Sequence, residues 1–157
     1  MQKLLILVGL PGAGKSTFAI EYLKRNKNTL RVCRDDLRMM LTNGEWSPDN
    51  EDFVVQQEKM IIQMALLNGN DVIIDDTNLK EKTMQMWQEL VETHNQMKHL
   101  CNEDKTVEIE IKKFTTSLEE CIRRDANRKG KAQVGKGVIM KFYNDYKNVL
   151  YPETNKS

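Results

Sequence analysis

Apolar segments alternate with segments of helical periodicity along this chain. Residues 3–8 and 71–75 are dominated by continuous apolar runs, which is typical of strands buried on both faces of a parallel sheet. Residues 29–33 predict another short strand, and residues 106–114 alternate apolar and polar side chains like a half-exposed edge strand. Helices are predicted over 15–26, 35–41, 48–67, 77–94, 117–128 and 138–150. Strands alternating with helices indicate a three-layer α/β fold with a central parallel sheet of four to five strands.

Composition narrows the class of protein. The 157 residues suit one domain, and contents of 39% apolar and 30% charged residues are typical of a folded globular chain. The net charge of +1 gives by itself no indication of a nucleic-acid partner, and nothing in the pattern indicates an oligomeric state. No apolar run is long enough to span a bilayer, and the first residues do not resemble a signal peptide. Three cysteines without metal-ligand spacing indicate a reducing, cytoplasmic setting.

The segment GLPGAGKS, residues 9–16, fits the pattern G-x-x-x-x-G-K-[ST] between a predicted strand and a predicted helix. Its glycines permit backbone angles and close approach that a Cβ would block, so that N–H groups can surround phosphate oxygens. Lys15 is placed to reach the β- and γ-phosphates, and the Ser16 hydroxyl to ligate Mg²⁺. We therefore predict a site for ATP and Mg²⁺, and the alternative is a glycine-rich turn that binds nothing. The predicted nucleotide-binding residues of this segment are Gly9, Gly12, Ala13, Gly14, Lys15, Ser16 and Thr17.

Two carboxylates, Asp75 and Asp76, follow the third predicted strand. Ligands of open α/β sheets bind at the carboxyl ends of strands, and a carboxylate there commonly holds Mg²⁺, often through water. We predict this role for Asp76, although the sequence leaves the two acids interchangeable. The alternative is Asp76 as a turn or cap residue ahead of the next helix.

A cationic segment, residues 123–141, is the candidate lid. The chain lacks the guanine-reading N-K-x-D of GTPases and is short for a motor-type ATPase, which favours a small kinase whose arginine-bearing lid closes over ATP. Arg124 and Arg128 are four residues apart, which predicts one helix face. Their guanidinium groups suit the charge that develops on a phosphoryl group in transfer. The alternative is a solvated basic helix end.

The segment RVCRDDLR, residues 31–38, follows the second predicted strand and so lies at the same sheet edge as the phosphate loop. A carboxylate there, Asp35, can orient an acceptor hydroxyl and accept its proton. Arg38 then either supports the ionised Asp35 or binds an anionic group of the acceptor. The alternative is Asp35 as a helix N-cap with a surface Asp35–Arg38 ion pair worth about 0–1 kcal/mol. The local pattern leaves both open.

Four motifs, GLPGAGKST, RDDLR, IIDDTNL and RRDANR, resemble in this order the kinase domain of phage T4-type polynucleotide 5′-kinases, over essentially the whole chain. The resemblance implies a P-loop phosphotransferase that moves the ATP γ-phosphate to a 5′-hydroxyl end of DNA or RNA. It implies that Asp35 is the general base, that Arg38 binds the phosphate 3′ to the terminal nucleoside, and that Asp76 supports the site. The residues that it implies for ATP, Mg²⁺ and transfer are Lys15, Ser16, Arg124 and Arg128.

The sequence departs from this family at two positions: an acid, Asp75, precedes the aspartate of D-T-N, and Lys129 displaces the glycine after Arg128. Longer members add a 3′-phosphatase with a D-x-D motif, which is absent here, so we expect one kinase domain over residues 1–157 and no phosphatase domain. Two other functions stay open. One is a small-molecule P-loop kinase acting on a sugar, antibiotic or metabolite hydroxyl, and the other is a non-catalytic nucleotide-dependent interaction module.

Overall fold

A computed structural model describes residues 1–152. Its strands are β1 (Gln2–Val8), β2 (Thr29–Val32), β3 (Asp71–Ile74) and β4 (Val107–Lys113). Its helices are α1 (Lys15–Arg25), α2 (Arg34–Thr42), α3 (Pro48–Leu67), α4 (Glu81–Leu100), α5 (Leu118–Ala126) and α6 (Lys136–Leu150), with a 3₁₀ turn at Gly130–Ala132. Every predicted strand and helix is present.

The four strands form one parallel sheet in the order β2-β3-β1-β4. β3 pairs with β1 through Leu4 and Val72 and with β2 through Leu30 and the same Val72. β4 pairs with the other side of β1 and is an edge strand, as its alternation predicts. Because all strands are parallel, their carboxyl ends lie at one edge of the sheet, and the loops that follow them meet there.

Helices cover both faces of the sheet, which confirms the predicted three-layer fold. Leu5 and Leu7 of β1 pack with Ala19 of α1 on one face. Leu4 and Ile6 point to the other face because successive side chains of a strand alternate. The main core there includes buried residues of α3, α4, α5 and α6: Val54, Ile62, Leu66, Trp87, Leu90, Cys121, Ile139 and Leu150.

Two segments differ from the prediction. Helix α4 continues to Leu100 instead of ending at residue 94, because His94 is buried and the amide of Asn95 bonds both the N–H and the C=O of Val107 in β4. Helix α5 ends at Ala126 instead of residue 128, so the cationic segment 123–141 comprises the end of α5, a connecting loop with the 3₁₀ turn, and the start of α6.

The carboxylate of Asp125 explains the bend in the cationic segment. It is buried at the end of α5 and accepts hydrogen bonds of 2.8 Å from the N–H groups of Val134 and Gly135. Because these two residues immediately precede α6, one side chain fixes both ends of the connecting loop. We call residues 126–135 the lid loop.

Candidate functional site

The phosphate loop between β1 and α1 has the backbone that its glycines predict. Gly12 and Gly14 have φ angles of +81° and +98°, which side chains other than glycine rarely adopt. A Cβ on Gly12 would lie 2.5 Å from the carbonyl oxygen of Cys121 in α5, so a side chain is excluded there. The N–H groups of Lys15 and Ser16 begin α1 and have no acceptor within the helix. The loop therefore offers backbone donors to an anion without further rearrangement.

The Lys15 ammonium is buried inside this loop. It donates hydrogen bonds to the carbonyl oxygens of Gly9, at 3.0 Å, and Leu10, at 2.6 Å. Burial lowers the pKa of Lys15 to about 8, and the neighbouring Asp75 carboxylate opposes that shift. A phosphate group beside the ammonium would favour the charged form and raise this pKa again.

The two aspartates after β3 have different surroundings. Asp75 is buried, and its Oδ2 accepts a hydrogen bond from Arg31 Nε at 2.8 Å and lies 2.7 Å from Arg31 Nη2 in the same ion pair. The same guanidinium reaches Asp36 Oδ2 at 2.6 Å. Asp75 is thus tied to the neighbouring strand β2, and Asp36 pairs with the same arginine.

Asp76 connects β3 to the start of α2. Its Oδ1 accepts the N–H of Arg34 at 2.7 Å and so caps a helix whose own N-cap residue, Cys33, provides no side-chain bond. Asp76 Oδ2 and Glu58 Oε1 are both buried, and neither has a hydrogen-bond partner among residues 1–152, so a proton on one of these two carboxyl groups would satisfy both. Burial and this contact with Glu58 raise the pKa of Asp76 well above its ordinary value.

Hydrogen bonds of Asn78 fix the loop that contains Asp76. Asn78 has a φ angle of +47° and donates from its amide to the carbonyl oxygen of Leu7 in β1 at 2.7 Å. The buried indole of Trp87 donates to Asn78 Oδ1 at 2.9 Å. The asparagine of D-T-N therefore positions the loop.

Asp35 and Arg38 lie together on the first turns of α2. Arg38 Nη1 donates to Asp35 Oδ1 at 2.6 Å, and the Asp35 side chain is 80% exposed. The predicted ion pair is confirmed. The alternative of Asp35 as N-cap is wrong, because Arg34 already has helical geometry and Cys33 occupies the N-cap position.

Arg38 also bonds a residue that the sequence did not single out. Its Nε and Nη2 donate to the two carboxylate oxygens of Glu51 in α3, at 2.9 Å and 2.8 Å. Such a two-bond contact fixes the plane of the guanidinium as well as its position.

Two adjoining cavities meet at Asp35. One has a volume of about 320 Å³, and we call it the acceptor cavity. The other, of about 100 Å³, adjoins the phosphate loop, and we call it the donor cavity. Residues lining both are Pro11, Asp35, Asp76, Thr77 and Val134. The remaining donor-cavity residues include Gly12, Gly14, Lys15, Ser16, Thr17 and Arg128.

Two loop residues predicted to bind nucleotide pack against the interior of the protein. Gly9 and Ala13 are buried and do not line the donor cavity. A Cβ on Gly9 would lie 3.0 Å from that of Phe114, so the packing behind the loop leaves little room for a side chain there.

The two lid arginines converge, although not in the predicted way. Arg124 lies in the last turn of α5, whereas Arg128 lies beyond the helix end at Ala126, so they do not share a helix face. Both line one open cavity of about 550 Å³ beside the phosphate loop. Arg124 Nη1 lies 3.4 Å from the carbonyl oxygen of Gly12, and Arg128 also lines the donor cavity.

The lid loop contacts the acceptor side as well. Lys131 donates to the carbonyl oxygen of Asn43 and lies 3.3 Å from Glu45 Oε1, both in the loop between α2 and α3. The lid loop is therefore attached to the loop between α2 and α3 in addition to α5 and α6.

Three residues of the site were missed by the sequence analysis: Arg34, Glu51 and Glu58. Arg34 Nε donates a hydrogen bond to Glu58 Oε2 at 3.0 Å, and its Nη2 lies 2.9 Å from the same oxygen in an ion pair. A signal for Glu58 existed, since it occupies a helical stripe of spacing four with Val54 and Ile62, all of them fully buried. An acid in such a stripe indicates a buried partner. No local signal identified Glu51.

The residues of the donor cavity suit a Mg²⁺ ion bound together with a nucleotide better than a metal ion held by protein ligands alone. Within residues 1–152, no group of three or more His, Cys, Asp or Glu side chains is arranged to hold a metal ion. Mg²⁺ needs no such cage when a hydroxyl, water and phosphate oxygens complete its shell. The Ser16 hydroxyl and Asp76 both line the donor cavity. Because Asp76 Oδ1 already accepts the N–H of Arg34 and Oδ2 is buried, contact of Asp76 with the ion through water suits the site better than direct ligation. No helix of the described part is both long and apolar enough to cross a membrane.

Comparisons with known proteins agree with this geometry. A putative bifunctional polynucleotide kinase/RNA ligase of Autographa californica nuclear polyhedrosis virus is 29% identical over 94% of this chain and 21% of its own length. An L-seryl-tRNA(Sec) kinase of Methanococcus maripaludis is 35% identical over 48% of this chain and 30% of its own. The chain thus spans less than a third of these relatives.

A solved structure is similar to this chain in both fold and sequence. A chain in the structure of the Pnkp1/Rnl/Hen1 RNA repair complex superposes with a TM-score of 0.68 and 32% identity, over 93% of this chain and 44% of that one. These relatives confirm the resemblance to polynucleotide kinase domains. The AAA domain family matches residues 4–151, nearly the whole sequence. The chain therefore belongs to the AAA domain family, and its fold is that of the P-loop kinases.

Proposed function

We propose that this chain is an ATP-dependent polynucleotide 5′-hydroxyl kinase domain, which transfers the γ-phosphate of ATP to 5′-OH ends of DNA or RNA. The observation that carries the proposal is the position of Asp35, which lines both the acceptor cavity and the donor cavity. A group there can contact an acceptor hydroxyl and the site of transfer at once. The named polynucleotide kinase relatives support the choice of acceptor.

On the acceptor side, Asp35 accepts the proton of the 5′-hydroxyl as general base. Arg38, held at 2.6 Å from it, orients that carboxylate and binds the phosphate 3′ to the terminal nucleoside. A fixed guanidinium suits a phosphate because it donates a planar pair of hydrogen bonds. Val134 and Phe142 form an apolar wall of the same cavity, against which a nucleoside can pack.

On the donor side, Lys15 and the N–H groups of the phosphate loop bind the phosphates, and Ser16 with Asp76, the latter through water, holds Mg²⁺. ATP supplies the phosphoryl group, and Mg²⁺ neutralises charge on its oxygens. Arg124 and Arg128 contact the phosphates from the lid. Their guanidinium groups stabilise the charge that develops in transfer.

The test is phosphate transfer from γ-labelled ATP to a 5′-OH oligonucleotide. Asp35→Asn is expected to lower kcat by about 10²–10⁴-fold while ATP affinity persists, because only the proton acceptor is removed. Asp36→Asn is the matched control, since that carboxylate pairs with Arg31 and lines neither cavity. Transfer that survives in Asp35→Asn removes Asp35 from the role of base.

A second candidate acceptor is a hydroxyl carried by an RNA rather than a 5′ end. It rests on the similarity to the L-seryl-tRNA(Sec) kinase over 77 residues. Transfer to a 3′-linked seryl-RNA or to a small alcohol, with none to 5′-OH oligonucleotides, would favour this function or a small-molecule kinase. ATP turnover that no acceptor alters would instead favour a nucleotide-dependent interaction module. For all of these functions, we propose a cytoplasmic setting.

A further inference from the structure

The acceptor cavity extends beyond the position assigned to the first phosphate. Asp35, Arg38 and Glu51 line one part of it, and Lys80 with Thr83 line another, at the start of α4. The cavity has a volume of about 320 Å³ and also receives the terminal nucleoside in the proposed function. A further phosphate of the acceptor would therefore lie at the wall that Lys80 and Thr83 form.

The cations that line the cavity differ in their partners. Arg34 pairs with Glu58, and Arg38 pairs with both Asp35 and Glu51. Lys80 is exposed, and no ion pair or side-chain hydrogen bond of Lys80 occurs among residues 1–152. Among the cations that line the cavity, Lys80 is therefore the one without a carboxylate at contact distance in residues 1–152.

The charge of Lys80 nevertheless acts inside the cavity. The pKa of Glu51 lies below its ordinary value, chiefly through the hydrogen bonds from Arg38, with smaller contributions from the charges of Arg34 and Lys80. Lys80 thus lies close enough to the Arg38–Glu51 pair for its field to be felt there. The two cations can act on neighbouring groups of one bound chain.

The residue types fit a phosphate in this second part. An ammonium is a compact charge that tolerates many approach directions, which suits a flexible phosphodiester. Thr83 adds a hydroxyl donor on the same wall. Lys80 also immediately precedes α4, where the partial positive charge of the helix start adds to its own.

We propose that Lys80, assisted by Thr83, binds the second phosphate of the acceptor chain, the one after the phosphate that Arg38 binds. This subsite rests on the proposed function. A nucleoside 3′-monophosphate offers one phosphate and leaves the subsite empty, whereas a dinucleotide with a 3′-phosphate fills it. The chain thereby distinguishes a polynucleotide end from a mononucleotide.

The experiment compares phosphate transfer to these two acceptors, each with a 5′-OH, at salt concentrations between about 50 and 200 mM. In the unsubstituted protein, KM is expected to be about three- to fivefold lower for the dinucleotide. Lys80→Gln is expected to bring the ratio of the two KM values close to one. It is also expected to reduce the slope of log KM against log salt for the dinucleotide by about 0.7, the share of one phosphate contact.

Lys82→Gln is the matched control, because Lys82 is exposed near the start of the same helix and does not line the cavity. It is expected to keep the ratio and the slope. A ratio that persists in Lys80→Gln overturns the subsite, as does an equal rise in KM for both acceptors.

Failure of the proposed function gives a different result. If neither acceptor is phosphorylated, equilibrium binding of both acceptors is measured by calorimetry in the same variants. A binding preference for the dinucleotide that Lys80→Gln abolishes keeps the subsite and removes the kinase. Equal binding of both acceptors by the unsubstituted protein overturns the subsite itself.

Discussion

Arg38 of α2 and Glu51 of α3 are joined by two parallel hydrogen bonds, of 2.9 Å from Nε and 2.8 Å from Nη2. The third contact of the guanidinium, at 2.6 Å, is to the proposed general base Asp35. Both Arg38 and Glu51 are largely shielded from water, with side-chain exposures of 20% and 23%. Glu51 therefore sets the plane in which Arg38 meets Asp35 and the acceptor.

Removing Glu51 should weaken acceptor binding more than ATP binding. In Glu51→Ala, Arg38 loses two of its three contacts, so the KM for a 5′-OH oligonucleotide is expected to rise about tenfold, while the KM for ATP changes little. Glu51→Gln retains one acceptor oxygen and should recover part of the loss. Asp52→Asn is the control, since Asp52 is an exposed neighbour that does not line the cavity. An equal rise in both KM values would show general disruption instead.

Glycine at position 12 should be indispensable for a steric reason. In Gly12→Ala, the added methyl group would lie 2.5 Å from the carbonyl oxygen of Cys121, at a φ angle of +81°. We expect a loss of stability of about 2–4 kcal/mol and loss of nucleotide binding, measured by urea denaturation and calorimetry. Gly137→Ala is the control, because Gly137 lies in α6 with open space around it, and it is expected to be neutral or to stabilise by up to about 1 kcal/mol. A stable, ATP-binding Gly12→Ala variant would refute the clash.

The Glu58–Asp76 contact predicts a difference between two substitutions. Glu58→Ala leaves the guanidinium of Arg34 without its partner at a buried position and is expected to cost about 3–5 kcal/mol in urea denaturation. Glu58→Gln keeps an oxygen for Arg34 and offers an N–H to Asp76 in place of the shared proton, so it is expected to cost about 1 kcal/mol. Equal losses in the two variants would contradict a shared proton.

His94 predicts a pH dependence of stability. It is buried in α4, and burial together with the charge of Lys98 lowers its pKa below the ordinary 6.5. Below about pH 6.5 the unfolded chain binds a proton that the folded chain does not, so this contribution to stability is complete above that pH. It is lost as the pH falls through the lowered pKa.

The slope is measured by denaturation between about pH 5 and pH 8 and stays within the one-proton limit of about 1.4 kcal/mol per pH unit. Subtracting the profile of His94→Gln should isolate it. His99→Gln, at an exposed position of the same helix, controls for the loss of an imidazole. A wild-type profile that coincides in shape with that of His94→Gln would contradict the burial argument.

The sequence predicted those parts of the site that are local in the chain. The phosphate loop is contiguous in the chain, so its glycines and Lys15 predict both its backbone conformation and its phosphate-binding chemistry. The Asp35–Arg38 pair lies within one helical turn, and the strands are visible as apolar runs. All of these follow from spacing alone.

The missed parts depend on contacts between distant segments. The different roles of Asp75 and Asp76 are decided by Arg31, Arg34 and Glu58, which come from β2, α2 and α3. Spacing carries no information on which strand will lie beside which. The placement of Arg128 failed for a related reason, since the bonds from Asp125 to Val134 and Gly135 turn the chain where helical spacing was assumed to continue.

The two hydrogen bonds that Asp125 accepts also limit how freely the lid loop can change its conformation. Because Asp125 accepts hydrogen bonds from the N–H groups of Val134 and Gly135, the residues between them form a closed loop. The conformational entropy that loop closure costs is therefore lost when the protein folds. Arg128 lies in this closed loop, so its backbone cannot extend away from α5 independently. An arriving nucleotide therefore meets a loop that already has its shape, and its binding energy is not spent on ordering a flexible segment.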